Sequence, residues 1–366
     1  MMPYLKEQYG NPSSIHRYGR LAHKAIEKAR KQIANLINAD PSEILFTSGG
    51  TESNNTALYG IVKKNPGSRI ITSSIEHDAI LEPCKRLEKE GFDIIYLPVN
   101  NQGLVDPLLL KNNLTEKTSL VSIMFGNNEI GTVEPISDFV NICKGKNIIF
   151  HTDAVQAVGK IPIDVDKLGI DLLSISSHKI NGPKGIGALY IKRGISIDPV
   201  ILGGGQENGL RSGTENVANI VGFGKACELS RINLVKDISK MKKLRDYLSN
   251  KIMQEISNVT LNGHPKIRLP NNIHLTFLGV NGEDLLIKLD EHGIAASTGS
   301  ACSVQIQKAS HVLQAMGFSH EQITGSLRLT IGISNNLEEM DKTVEILKNV
   351  VNELRSVSPF KEKYSF

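Results

Sequence analysis

A lysine stands at the end of a predicted buried strand, in the segment SISSHKINGPKG at residues 174–185. An apolar run, GIDLLSIS, leads into this segment, and a turn at residues 181–183 follows it. A lysine beside a hydrophobic core costs free energy unless a neighbouring group uses its amine. Lys179 therefore indicates a site where an amine is reactive or charge-paired.

Polar residues also follow other predicted strands at their carboxyl ends. Gly50 and Thr51 follow EILFTS and open a helical pattern whose free N–H groups could hold a phosphate. RIITSSIEH ends at His77, SLVSIMF runs into GNNEIG with Asn128, and NIIFHTD ends at Asp153. Taken singly, these residues have ordinary structural alternatives: a glycine turn, a hydrogen-bonding histidine and a helix N-cap.

One site could use all of these groups, because ligands of an open parallel sheet bind at the carboxyl ends of its strands. An anion cradle, an acid and an amine are what pyridoxal 5′-phosphate (PLP) chemistry requires. The lysine binds the cofactor aldehyde covalently and the acid holds the ring nitrogen. Gln156 shares a face with Asp153 if a helical turn begins there. The residues thus predict a PLP site with Lys179 as its anchor.

The elements that must position this site alternate between short β-branched runs and helical patterns from residue 40 to about 192. Such alternation favours an α/β fold with a mostly parallel sheet; the seven runs are EILFTS, RIITSS, DIIYLPV, SLVSIMF, NIIFHTD, DLLSISS and IGALYIK. A long amphipathic helix is predicted from about Val217 to Ser257. We expect a large domain over residues 1–237 and a smaller α+β domain over 238–366.

Composition excludes several classes of function. The 366 residues carry 42 Lys and Arg against 38 Asp and Glu, a net charge of +4 that gives little support for a nucleic-acid partner. There is no run of about 18 apolar residues and no secretory signal, so we expect no membrane span. The four cysteines form no CxxC pair, which argues against a disulfide framework or a zinc site and favours the reducing cytoplasm.

Seven segments resemble, in order and spacing, the NifS/IscS-type cysteine desulfurases, which are class V aminotransferase-like enzymes of PLP fold type I. The segments are FTSGGTESNN, EH, NNEIG, HTDAVQAVGK, SSHKINGPKGIGALY, GGGQENGLRSGTENV and TGSACS. The resemblance runs from GNPSSIH, near residue 11, to beyond SLRLTIG. It implies a fold-type I transferase with a large seven-stranded PLP-binding domain and a small C-terminal domain that carries a catalytic cysteine.

The resemblance implies a role in cofactor binding for each matching residue. Lys179 would hold PLP covalently and shuttle protons, Asp153 would pair with the ring nitrogen, and Gln156 would bind the phenolic oxygen. His77 would stack on the ring and take part in acid–base steps. The residues that would contact the cofactor phosphate are Gly50, Thr51, Ser176 and His178, with Thr214 of RSGT reaching the phosphate of the other subunit. The active unit would then be a homodimer.

The resemblance also implies the substrate and the nucleophile. Asn128, which also contacts the cofactor, and Arg328 would hold the carboxylate of L-cysteine, since arginine binds carboxylates bidentately. Cys302, in AASTGSACSVQ, would attack the substrate sulfur, which leaves alanine and a Cys302 persulfide. An acceptor protein, such as an iron–sulfur scaffold or a tRNA-thiolation enzyme, would take that sulfur. No metal site is expected, apart from Cys302 as a transient iron–sulfur ligand.

The sequence departs from the family pattern in two places. It begins at MMPYLKEQYG, without the YxDNAATTP-like segment that family members carry before GNPSS, so we expect part of the family's substrate cavity to be missing. After Cys302 it reads SVQIQKASHV, where many members have a Gly-rich loop ending in PSHV. The TGSAC context resembles the long-loop IscS-like group.

Other functions remain open at this stage. Selenocysteine lyase or transaminase activity would keep Lys179 and Asp153 but would not need Cys302 in the same way. A non-catalytic scaffold in iron–sulfur assembly or tRNA thiolation would need no PLP.

Overall fold

The computed structural model describes residues 1–64, 66–299, 309–358 and 361–364. Its helices are α1 (Met2–Lys6), α2 (Arg17–Ile37), α3 (Gly50–Val62), α4 (Asp78–Lys89), α5 (Pro107–Asn113), α6 (Ile136–Lys144), α7 (Val165–Leu168), α8 (Val217–Glu255), α9 (Gly282–Glu291), α10 (His311–Ala315), α11 (His320–Thr324), α12 (Leu337–Val357) and α13 (Lys361–Tyr364). Its strands are β1 (Ile44–Thr47), β2 (Arg69–Ser73), β3 (Asp93–Leu97), β4 (Thr118–Ser122), β5 (Ile149–Asp153), β6 (Leu172–Ser176), β7 (Gly187–Ile191), β8 (Val259–Leu261), β9 (Asn272–Phe277) and β10 (Ser326–Thr330).

The chain divides into two compact units. Unit 1 comprises Met1–Leu97, Asp106–Phe125 and Glu134–Leu234. Unit 2 comprises Pro98–Val105, Gly126–Val133 and Val235–Phe366. The segment Gly126–Val133 includes the GNNEIG sequence, so Asn128 belongs to unit 2. The predicted cofactor residues Asp153 and Lys179 belong to unit 1.

Unit 1 is built on a seven-stranded sheet in the order β1-β7-β6-β5-β4-β2-β3. The strands β6, β5, β4, β2 and β3 pair in parallel, and β7 is antiparallel to both of its neighbours, β1 and β6. All seven predicted runs form these strands. Several are buried along their whole length, as expected for β-branched runs covered on both faces. The predicted α/β fold with a mostly parallel sheet is confirmed.

Helix α3 is held against this sheet by apolar contacts. Leu58 and Ile61 of the helix belong to one buried cluster with Leu45, Leu120 and Leu189 of β1, β4 and β7. Because α3 begins three residues after the end of β1, this packing fixes the first turn of the helix at the carboxyl edge of the sheet. That edge is where the sequence predicts the cofactor site.

Unit 2 contains a three-stranded antiparallel sheet in the order β10-β9-β8, which lies within the residues expected to form the smaller α+β domain. Its core joins Ile273 and Leu275 of β9 with Leu285 of α9, Leu347 of α12 and Ile252 of α8. The predicted long helix is also confirmed as α8, which contributes residues to both units. Among the described residues, no helix combines the length and apolar character that a bilayer crossing would need.

Candidate active site

A buried carboxylate lies at the end of β5 in unit 1. Asp153 pairs in register with Ser174 of β6 and is 7% exposed. Its Oδ2 accepts a hydrogen bond from Asn54 Nδ2 at 2.6 Å, and its Oδ1 accepts one from the backbone N–H of Val155 at 2.9 Å. Two fixed donors therefore hold the carboxylate in one orientation. Its remaining lone pairs can accept a hydrogen bond from the N–H of a protonated ring nitrogen.

The first turn of α3 offers backbone N–H groups beside this carboxylate. The helix begins after Gly49, and no side chain caps its N-terminus. A Cβ on Gly50 would lie 2.7 Å from Val155 Cγ2, so only glycine fits this close approach. Ser176, at the end of β6, lies beside Gly49, and its Oγ is hydrogen-bonded to His178 Nδ1 at 2.8 Å. The structure thus brings Gly50, Ser176 and His178 together around an uncapped helix end, which suits an anion.

Lys179 lies in the 3-10 turn Ser177–Ile180 that follows β6 directly, and its side chain is exposed. Behind it, Lys160 Nζ donates to the carbonyl oxygens of Gln156, at 3.3 Å, and of Lys179, at 3.2 Å. Desolvation lowers the pKa of His178, and the charges of Lys179, Lys160 and Lys184 lower it further. This part of unit 1 is therefore electropositive. The two hydrogen bonds of Lys160 link the segments that carry Gln156 and Lys179.

His77 caps the N-terminus of α4, where its Nδ1 accepts a hydrogen bond from the backbone N–H of Ala79 at 3.0 Å. A proton on the neutral ring is therefore on Nε2. Glu76 next to it is fully buried, and its Oε1 accepts from Ser73 Oγ at 2.7 Å and from Met124 N at 2.8 Å. Burial, followed by the charge of Asp153, raises the pKa of Glu76 to about 8.

In unit 2, Arg328 of β10 and Asn128 are in direct contact. Arg328 Nη1 donates to the backbone carbonyl of Asn128 at 2.9 Å. The next residue, Glu129, is buried, and its Oε2 accepts a hydrogen bond from Ser310 Oγ at 2.5 Å. The two predicted substrate-binding residues therefore come together, as the sequence analysis expects, while Cys302 lies outside the described residues.

Thr51 and Thr214 are exposed residues of unit 1. Thr51 lies in the first turn of α3, one residue after Gly50. Thr214 follows Arg211, whose guanidinium forms an ion pair with Glu52 of α3 at 2.9 Å. The loop that bears Thr214 is thereby tied to the first turn of α3 within one chain.

The chain is similar to proteins whose activity is known. The aminotransferase class-V family model matches residues 1–343. The chain belongs to the aminotransferase class-V family. A cysteine desulfurase IscS from Dictyoglomus turgidum is 52% identical over 366 residues, which cover all of this chain and 93% of the relative. This class V chain is therefore of the NifS/IscS type, which confirms the family that the seven segments indicate.

Solved structures are similar to this chain as well. A NifS-like protein superposes with a TM-score of 0.90 at 39% identity and covers 96% of this chain and 94% of its own. The structure titled SspA in complex with cysteine has a TM-score of 0.81 at 37% identity, with coverage of 91% and 94%. The predicted fold type I and the interpretation of the chain as a cysteine desulfurase are confirmed by these comparisons.

Sequence reasoning missed three buried residues of this class V site: Asn54, Glu76 and Lys160. Each stands inside a segment that the sequence analysis quotes, namely FTSGGTESNN, EH and HTDAVQAVGK. The available signal was an ionisable or amide side chain among apolar and small neighbours. That signal does not say which of these side chains become buried, because burial depends on how α3, β2 and β5 pack.

Proposed function

We propose that the chain binds PLP in unit 1 and converts L-cysteine to L-alanine, with the sulfur leaving as a persulfide on Cys302. The observation that carries this proposal is the arrangement around Asp153. A buried, doubly hydrogen-bonded carboxylate lies beside an uncapped helix N-terminus, and Lys179 follows the adjacent strand. Class V membership and the names of the relatives support the same reaction.

The residues of unit 1 fit PLP in donor chemistry. The N–H groups at Gly50 and Thr51, together with Ser176 and His178, would bind the phosphate. Asp153 would accept the ring N–H. The remaining predicted contacts, to the phenolic oxygen, the ring face and the aldehyde, would come from Gln156, His77 and Lys179. When bound, PLP supplies an electron sink that stabilises negative charge at the α-carbon of the substrate.

The protein groups would act as follows. Lys179 Nζ takes the α-proton of the substrate and returns it later, and Asp153 keeps the ring nitrogen protonated. In unit 2, Arg328 and Asn128 bind the substrate carboxylate. Cys302 Sγ, as the thiolate, attacks the substrate sulfur. The sulfur–carbon bond breaks, its electron pair remains on the substrate carbon, and protonation of that carbon gives the methyl group of alanine.

The proposal extends to assembly and sulfur transfer. Thr214 would bind the phosphate of a second subunit, so the active form would be a homodimer in the cytoplasm. The Cys302 persulfide would pass its sulfur to an acceptor protein such as an iron–sulfur scaffold or a tRNA-thiolation enzyme. Residues 238–366 would form the domain that carries the Cys302 segment.

The test combines product analysis with two variants. Protein purified with PLP is incubated with L-cysteine, alanine is quantified, and the persulfide is located by mass spectrometry. We expect one alanine per sulfur and a persulfide on Cys302. Cys302→Ala should abolish sulfur release, and Lys179→Ala should remove the visible band of the lysine-bound cofactor. Full activity of Cys302→Ala would favour a lyase or transaminase, and a colourless protein that takes up no PLP would favour a scaffold.

A further inference from the structure

A buried lysine next to the proposed cofactor site has no role in the mechanism above. Lys160 is 9% exposed and ends the turn that follows β5. Its Nζ donates to two backbone carbonyls. The carbonyl of Gln156 lies 4 positions before Lys160 in the chain, and that of Lys179 lies 19 positions after it. Both carbonyls belong to residues that the proposed function assigns to the cofactor. The lysine is thus bonded to the two loops that carry them.

The two loops pack too closely for this bridge to be incidental. Gly159 has a left-handed backbone with φ of 75°, and a Cβ there would lie 2.6 Å from Ile180 Cγ2. The residue before Lys160 is therefore in contact with the residue after Lys179. An ammonium group is well suited to join the loops, because it donates in several directions and its hydrogen bonds are strengthened by charge.

We infer that Lys160 is a positioning residue that fixes the backbone of Lys179 relative to that of Gln156 and so orients the Lys179 amine. The inference rests on the proposed function, since it concerns how the lysine that binds PLP is held. Lys160 itself is assigned no contact with substrate or cofactor. It acts through the two carbonyls that it binds.

The same placement has an electrostatic consequence. Burial, together with the charge of Lys179, lowers the pKa of Lys160 to about 8, so the two lysines repel each other. The other titratable groups in this part of unit 1 are Lys184, the carboxylate of Asp153, His178, whose pKa is lowered, and Glu76, whose pKa is raised. Removing the Lys160 cation should therefore raise the proton affinity of a nitrogen at position 179.

The test compares holoenzyme variants by spectroscopy. Lys160→Met removes the charge and both hydrogen bonds, and Lys160→Gln keeps an N–H donor without the charge. Lys160→Arg keeps the positive charge and the N–H donors. Lys167→Met is the matched control, because Lys167 is 83% exposed and lies in α7 of the same unit. For each protein we would record the visible circular dichroism of bound PLP, the pH midpoint of its absorbance band, and the thermal unfolding temperature.

We expect Lys160→Met to lose at least half of the visible circular dichroism and to raise the pH midpoint by about one unit. Lys160→Arg should restore most of both signals, and Lys167→Met should match the wild type. If Lys160→Met does not fold, Lys160→Gln should show the raised midpoint on its own.

Two results would overturn the inference in distinguishable ways. An unchanged dichroism and midpoint in Lys160→Met or Lys160→Gln, even with a lowered unfolding temperature, would make Lys160 a purely structural residue and leave the proposed function standing. A wild-type protein that takes up no PLP would remove the proposed function and this inference with it.

Discussion

Glu76 makes a sharp prediction about stability and pH, because it is an acid buried beside the candidate site. It is fully buried, and burial raises its pKa from 4.5 to about 8. Between these two values the folded protein holds a proton that the unfolded chain releases. The contribution of Glu76 to the free energy of unfolding is therefore present below pH 4.5 and is lost as the pH rises towards 8.

The magnitude follows from the width of that window. Each pH unit inside it changes the free energy of unfolding by about 1.4 kcal/mol, so the wild type should lose about 4 kcal/mol between pH 5 and pH 8 through this group. Glu76→Gln has no proton to release, and its amide oxygen can accept from Ser73 Oγ and Met124 N as the acid does. The free energy of unfolding of Glu76→Gln, relative to that of the wild type, should therefore rise by about 4 kcal/mol from pH 5 to pH 8.

The assay is urea unfolding of both proteins, without added PLP, at several pH values from 5 to 8. Glu116→Gln is the control, since Glu116 is an exposed carboxylate of the same unit and should leave the pH dependence unchanged. A difference between Glu76→Gln and the wild type that stays constant from pH 5 to pH 8 would show that Glu76 is ionised in the folded protein and would refute the reasoning.

Three further predictions concern the same site. Asn54→Ala removes the amide that donates to Asp153 and should weaken PLP binding at least ten-fold in equilibrium dialysis, since a hydrogen bond to a charged group contributes about 1.5–3 kcal/mol; unchanged affinity would contradict this. Gly50→Ala should lower stability by about 1–3 kcal/mol through its contact with Val155, and Val155→Ala should relieve part of that loss in thermal unfolding. A thiol reagent should label native wild type quickly at one position, and Cys302→Ala should remove that labelling, because the remaining thiols are buried and burial raises the pKa of each of them: Cys84, Cys143 and Cys227.

The strands and the long helix α8 could be predicted because their signals are local. Seven β-branched runs separated by helical patterns form the seven strands of the large sheet, and the parallel direction of most of them brings their carboxyl ends to one edge. For this reason Asp153, Ser176 and Lys179 could be expected close together from the order of the strands alone. The position of a polar residue directly after a predicted strand is therefore enough to place it at this edge of the sheet.

The polar interior beneath that edge could not be predicted, because it depends on the register in which neighbouring strands pair. His151 lies within the run NIIFHTD and bonds Ser122 Oγ at 2.8 Å and Ser174 Oγ at 2.9 Å, on the strands to either side. Burial lowers its pKa to about 3. Nothing in the strand patterns indicates the register that places these two serines beside His151, although β4, β5 and β6 are consecutive in both the chain and the sheet.

The direction of the pKa shifts shows what holds the charged residues of unit 1 in place. An ion pair raises the pKa of its lysine and lowers that of its acid, yet the pKa of Lys160 is lowered and that of Glu76 is raised. At both residues burial is the largest cause, and a neighbouring like charge acts in the same direction: Lys179 at Lys160 and Asp153 at Glu76. Because such burial opposes folding, contacts elsewhere must offset it: the carbonyls of Gln156 and Lys179 at Lys160, and Ser73 and Met124 at Glu76. The contacts of Lys160 fix the backbone of Gln156 and Lys179, and those of Glu76 hold the residue that precedes His77. The contacts that offset the cost of burial therefore also order parts of the proposed cofactor site.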